Sequence, residues 1–334
     1  MKNNAKKTKK LLPLAVLLAA AALLGILLAV LTRSSTDAAD TTIPLCGFTA
    51  EEIDRLAYSG NNMDVTLLKG STGDWMLDSD PALPLDQEKV TSLVEQYAAL
   101  AALRKLEGSD LAELPEKSAA PQMTITIGAG DKTLALTVDQ LNAVADVYYV
   151  YDESGAAYTV MRSDLATLSK SPRDLYKAQT LTDKTLSDVA AMQVNDLQFT
   201  QTDGSWTLTD DPDYPVSQSS IKKMASTILQ MQTAWTVTAP EADTAYGLDS
   251  PDVTAVLTFT DGTSLTVRFG NAVAAAADGS DGDSLCYLAS DAAPTVVYEV
   301  NADSKLAYAV TKESLYEETA TAETAASDPV AQYP

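Results

Sequence analysis

The sequence predicts an α+β protein: two tandem homologous domains, each an antiparallel sheet or meander with a packed helix, after an N-terminal transmembrane helix. Three observations carry this. An internal repeat recurs at a long offset, a charge-free apolar run lies near the N-terminus, and each repeat switches from helical to alternating patterning.

The repeat comes first. Residues 75–90 read WMLDSDPALPLDQEKV and residues 206–221 read WTLTDDPDYPVSQSSI. Six positions agree without a gap: Trp75/Trp206, Leu77/Leu208, Asp80/Asp211, Pro81/Pro212, Pro84/Pro215 and Gln87/Gln218. Gly73 and Gly204 each stand two before the Trp, which suits a turn feeding a strand. Further on, Pro121 matches Pro251, Tyr158 matches Tyr298, and Leu175-Tyr176 matches Leu315-Tyr316, the last at an offset of 140. Trp75, Pro81, Pro84, Trp206, Pro212 and Pro215 read as structural anchors, a core corner in each repeat.

Each repeat then shares one plan. Short strands around Arg55–Tyr58 and Asp64–Leu68 precede the first Trp strand. Asp86 and Ser217 are placed to cap the helices that follow. Val90, Leu93, Val94, Tyr97 and Leu100 fall at helical spacing in the first; Met224, Ile228, Met231 and Trp235 do so in the second. Alternation follows in Met123-Ile125-Ile127, Leu134-Leu136-Val138, Val253-Ala255-Leu257-Phe259 and Leu265-Val267-Phe269. The turns fall at Gly128–Lys132 and at Asp261-Gly262, and a last strand and short helix close each unit.

At the N-terminus, Lys2, Lys6, Lys7, Lys9 and Lys10 precede an uncharged stretch from Leu11 to Thr32, closed by Arg33. As a helix it would be about 33 Å long, enough to cross a hydrocarbon core of about 30 Å. An uncleaved anchor is the expectation. A cleaved signal peptide is the alternative, although its apolar region is normally shorter, about 7–15 residues. Five lysines ahead of the run place the N-terminus in the cytoplasm and the rest of the chain outside, on a single-pass plasma-membrane protein. The division is 1–10 cytoplasmic, 11–32 transmembrane, 33–46 linker, 47–178 first repeat, 179–317 second repeat and 318–334 a disordered tail.

Charge sharpens the topology. The chain has 334 residues, 23 bases, 46 acids and no histidine, a net −23. Residues 1–33 hold six of the bases and no acid, so the remainder stands at −29. An acidic exported region argues against nucleic acid, which demands clustered Lys and Arg. The absence of histidine removes the commonest general base and the commonest metal ligand. Cys46 and Cys286 lie 240 residues apart. Two isolated thiols, one buried and one in a linker, are the simpler reading, and an oxidised pair stays open.

The lysine-led anchor, the two units of Gly-x-Trp followed by Pro-x-x-Pro and a helix, and the run Tyr246-Gly247-Leu248-Asp249-Ser250-Pro251 resemble the bacterial domain-of-unknown-function family 4340. The resemblance spans roughly 48–317, and the second unit fits it better. Leu111–Pro121 lacks the Tyr-Gly-Leu step. The resemblance implies a membrane-tethered envelope protein, linked to accessory components of gliding-motility-type ABC transporters. It supplies no catalytic residues.

No catalytic, cofactor-binding or metal site is expected from the residues. Ser220 and Lys223 satisfy Ser-x-x-Lys, but the companion motifs are absent and a helix start explains the serine. Asp210-Asp211-Pro212-Asp213 and Asp278–Asp283 are the densest acidic clusters. In a calcium loop opening at Asp278 the twelfth position would be Ala289 in place of Glu, so a solvated hairpin loop is the better reading. Gly128-Ala129-Gly130 reads as a strand-to-strand turn. The expectation is a non-catalytic, membrane-anchored extracytoplasmic accessory or binding module without cofactor. Its partners would be the bilayer, through the N-terminal helix, and other envelope proteins, transporter subunits among them. A carboxylate-dependent envelope hydrolase and a sensor for a cation or cell-wall ligand are the alternatives.

Overall fold

The computed structural model describes residues 42–60, 63–274 and 284–317. The expected cytoplasmic segment and anchor, the acidic loop Asp278–Asp283 and the expected tail lie outside the described residues. No helix among the described residues is long and apolar enough to cross a membrane.

The described residues are mostly β, with few helices and two eight-stranded antiparallel sheets. The first sheet is built from β2 (Arg55–Gly60), β3 (Met63–Lys69), β4 (Trp75–Leu77), β6 (Arg104–Leu106), β7 (Met123–Ala129), β8 (Lys132–Asn142), β9 (Val147–Asp152) and β10 (Ala157–Met161). Its order is β4-β3-β2-β7-β8-β9-β10-β6. The second is built from β11 (Val189–Val194), β12 (Leu197–Thr202), β13 (Ser205–Leu208), β14 (Thr233–Val237), β15 (Val253–Phe259), β16 (Ser264–Ala272), β17 (Leu285–Ser290) and β18 (Val297–Asn301). Its order, β13-β12-β11-β15-β16-β17-β18-β14, places equivalent strands in equivalent slots. A two-residue strand β1 (Ile43–Pro44) pairs with β5 (Ala101–Ala102).

In both sheets a helix carries the chain from the Trp-strand edge to the opposite edge: α1 (Gln87–Ala98) in the first repeat, α4 (Gln218–Leu229) in the second. Each begins where its cap predicts. Asp86 Oδ1 accepts from the Glu88 and Lys89 amides, and Ser217 Oγ accepts from the Ser220 amide. Each helix ends sooner than its apolar spacing suggests. Leu100 lies past α1; Met231 lies past α4, and Trp235 is on strand β14. The same residues read as a helix stripe because a buried strand that follows directly on a helix continues the run of apolar side chains. Three shorter helices are α2 (Ser109–Ala112), α3 (Arg162–Leu168) and α5 (Asp303–Leu306).

Two compact units are drawn from the described residues: those up to Asp64 with Leu93–Ser169, and Val65–Ser92 with those from Lys170 onward. In the second unit Trp206, Phe199, Ile221, Met224, Ile228, Phe269 and Tyr308 share one buried core. Burying one such large apolar side chain stabilises by about 1.5–3 kcal/mol. In the first, Tyr58 on β2 stacks on Tyr97 of α1 with ring centroids 5.6 Å apart. The Tyr97 hydroxyl donates to the Leu168 carbonyl at 3.2 Å, as Tyr308 donates to Met224 at 2.8 Å in the second unit. Each bond gives a buried phenol the polar partner it requires.

Candidate functional site

The repeated sequence corner folds as one repeated device. Gln87, the first residue of α1, accepts the Trp75 amide on Oε1 at 2.7 Å and donates Nε2 to the Trp75 carbonyl at 3.0 Å. Gln218 does the same to Trp206, at 2.8 and 2.7 Å. β4 and β13 are edge strands, so their outer main-chain groups need partners from elsewhere. A carboxamide meets both needs at once, since it presents acceptor and donor side by side. The Trp206 indole N–H, by contrast, is buried without a partner among the described residues.

The prolines lead into a single bridged residue ahead of each helix. Beyond Pro84, Leu85 bridges Tyr176, with the Asp86 amide on the Leu175 carbonyl and the Lys177 amide on the Pro84 carbonyl. Beyond Pro215, Val216 bridges Tyr316, with Ser217 on Leu315 and Glu317 on Pro215. The Leu-Tyr pairs that match in sequence are therefore the bridge partners that close each Pro corner. Pro81 and Pro212 each follow an Asp that anchors the turn: the Asp80 carboxylate accepts from the Thr238 hydroxyl at 2.6 Å, and Asp211 accepts from Lys312 at 2.8 Å. Lys312, whose pKa the Asp211 hydrogen bond raises, also lies 4.8 Å over the Tyr214 ring.

The Tyr246-Gly247-Leu248 step is a packing element too. Gly247 sits at φ +69°, and a Cβ there would meet the Asn271 carboxamide at 2.4–2.7 Å. The Tyr246 carbonyl accepts the Asn271 amide at 2.8 Å, and a Cβ on Gly270 would meet that same oxygen at 2.2 Å. In the first repeat, where the step is missing, α2 and the loop after it take another path. There the Ser118 amide donates to the buried Asp139 carboxylate at 3.1 and 3.2 Å, and Lys117 lies 3.8 Å over the Tyr151 ring.

The segment joining the repeats is fastened by a polar cluster that sequence reasoning missed. Arg173 makes a bidentate pair with Glu299 at 2.8 and 3.1 Å and stacks 4.7 Å over Trp235. Glu299 is 5% exposed. The Tyr176 hydroxyl is shared between the Thr233 and Thr236 hydroxyls at 2.6 and 2.7 Å, and the Gln179 amide donates to Thr233 Oγ1. The Thr233 amide donates to the Gln179 carbonyl, so this segment covers the start of edge strand β14. The only sequence signal was the matched Leu175-Tyr176; Arg173 and Glu299 are 126 residues apart.

The candidates for chemistry are not brought together as sites. The Ser220 hydroxyl donates to Ser217 Oγ at 3.1 Å inside the helix cap, and Lys223 is exposed. No group of three or more His, Cys, Asp or Glu that could hold a metal occurs among the described residues. Cys46 and Cys286 are both free and both buried, and burial pushes each thiol pKa up. Cys46 is thus part of the fold rather than an exposed linker residue.

Two clefts remain. One, in the first unit and about 250 Å³, lies between the start of β7 (Gln122, Met123) and the face of α3 carrying Arg162, Leu165 and Ala166, ending at Ser169. The other, in the second unit and about 410 Å³, lies between the start of β15 (Asp252, Val253) and α5 with its flanks (Ala302, Lys305, Leu306, Ala309).

The sequence profile of a domain of unknown function, DUF4340, matches residues 26–205, more than half of the chain. No curated protein and no solved structure matches. The matched span takes in the first repeat and stops just before Trp206, whereas the sequence motifs suggested that the second repeat fits better. By this match over a span that includes the Gly-x-Trp corner of the first repeat, the chain belongs to the DUF4340 family.

Proposed function

We propose that this protein is a non-catalytic accessory module, held at the outer face of the plasma membrane by residues 11–32 and acting by binding other envelope proteins. The observation that carries the reading is the change of charge across the apolar run: six bases and no acid in residues 1–33, then a balance of −29. The basic end suits the anionic inner leaflet. The acidic end keeps two sheet-bearing repeats soluble and away from anionic polymers. The folded corners support the same reading, because the residues most strongly repeated are spent on internal bracing. What is left for function is surface.

The family resemblance makes an ABC-type transporter the partner to test first. Affinity capture of the full chain from detergent-solubilised membranes asks this directly. Co-purification of an ABC ATPase and its permease at fixed stoichiometry is the expected result. Recovery of the protein alone would overturn the partner reading.

A further inference from the structure

The two clefts occupy the same place in the repeated fold. β10 and β18 match residue for residue at an offset of 140, and β7 and β15 at an offset of 130. At those offsets Gln122 and Met123 become Asp252 and Val253, while Leu165, Ala166 and Ser169 become Lys305, Leu306 and Ala309. The frame, a strand start facing the helix that closes the repeat, is therefore common to both. The equipment is not. The second cleft has exchanged Gln for Asp and Leu for Lys at facing positions, and its volume of about 410 Å³ falls within the range of ligand pockets, about 300–1,000 Å³. The first is smaller and carries no acid on its wall.

We propose that the second-repeat cleft binds a small zwitterion with an apolar body, of the amino-acid or dipeptide class. Lys305 pairs with Asp252 and donates to the Gly270 carbonyl at 3.2 Å, so two fixed acceptors hold an ammonium that has a third proton to give. Asn195 accepts the Thr254 amide on Oδ1 at 2.9 Å, which orients its carboxamide at the rim. A ligand carboxylate meets Lys305 and Asn195, and a ligand ammonium meets Asp252, replacing one ion pair by a closed set of alternating charges. The apolar body covers Leu306, which is 69% exposed, together with Val253 and Val310. This inference goes beyond the tethered-module reading and stands without it.

The test is calorimetric titration of the purified full chain with L-leucyl-L-leucine and with its N-acetylated and C-amidated forms. One saturable site per chain is expected. Each capped form should bind about tenfold or more weakly, as expected for loss of a hydrogen bond to a charged group. Leu306→Glu, at an exposed position, should weaken binding by a similar factor without changing thermal unfolding; Lys305→Met should weaken binding as well. Absence of saturable binding up to about 10 mM would overturn the proposal. So would equal affinity for the capped forms, or unchanged binding by a folded Leu306→Glu variant.

Discussion

The carboxamide of Gln218 closes on both main-chain polar groups of Trp206, and twelve residues separate them in the chain. The same spacing and the same two bonds join Gln87 to Trp75. The helix start and the sheet edge are thereby one element, since losing the helix exposes the unpaired edge. Gln218→Ala should destabilise the protein by about 2 kcal/mol, near 1 kcal/mol per hydrogen bond, with Gln87→Ala comparable. Gln218→Glu should cost at least as much, because its second oxygen faces the Trp206 carbonyl. Denaturant unfolding of each variant checks this.

Arg173 and Glu299 give a second expectation. Glu299 is buried while the Arg173 side chain is about half exposed, so solvent screens part of the pair. Arg173→Ala should cost about 1–3 kcal/mol, below the 3–5 kcal/mol of a wholly buried pair. Arg173→Lys should not restore it, because an ammonium cannot make the bidentate contact and also stack on Trp235. A double-mutant cycle with Glu299→Gln measures the coupling.

Two buried tyrosines make stability fall at high pH. Burial pushes the pKa of Tyr97 and of Tyr308 well above its ordinary value. The folded state thus keeps protons that the unfolded chain releases from about pH 10 upward, and stability is full below that pH and lost above it. Tyr308→Phe should flatten this alkaline slope, while lowering stability at neutral pH by about 1 kcal/mol through the lost hydrogen bond to the Met224 carbonyl. Thermal unfolding across pH 7 to 11 shows both.

At low pH the sign reverses. The Lys184 ammonium and the Thr263 hydroxyl and amide hold the Asp261 carboxyl well below the usual range, and the Thr185 amide and hydroxyl lower Asp188. A depressed carboxylate adds stability that is present above the unfolded value near pH 4 and lost as pH falls through the folded value. Asp261→Asn should reduce the steepness of acid destabilisation below about pH 4. An identical slope would refute the assignment.

Much of this architecture is written locally. The Trp, Pro and Gln matches marked the corner, Asp86 and Ser217 marked helix starts, and alternation marked the central hairpins, because each signal depends on neighbours within a turn or a strand. The far-edge strands β6 and β14 were hidden, since Trp235 of β14 continues the helix spacing, β6 offers a single apolar residue, and only pairing with β10 and β18 makes them strands. The cluster around Arg173 was hidden for a different reason. Its partners lie more than fifty residues away, and a half-exposed Arg has no pattern of its own. The equivalence of the two clefts needed both the repeat offsets and the positions of α3 and α5.

An exported, tethered module requires that the repeats lie on the outer side of the membrane. Val144, between β8 and β9, is 99% exposed, whereas native Cys46 and Cys286 are 7% and 2% exposed. A Val144→Cys variant of the full chain therefore gives a single reactive thiol on the surface, to be treated with a membrane-impermeant maleimide in spheroplasts. We expect labelling with the plasma membrane intact, and labelled protein that sediments with membranes. Labelling only after the plasma membrane is broken would contradict an exported module.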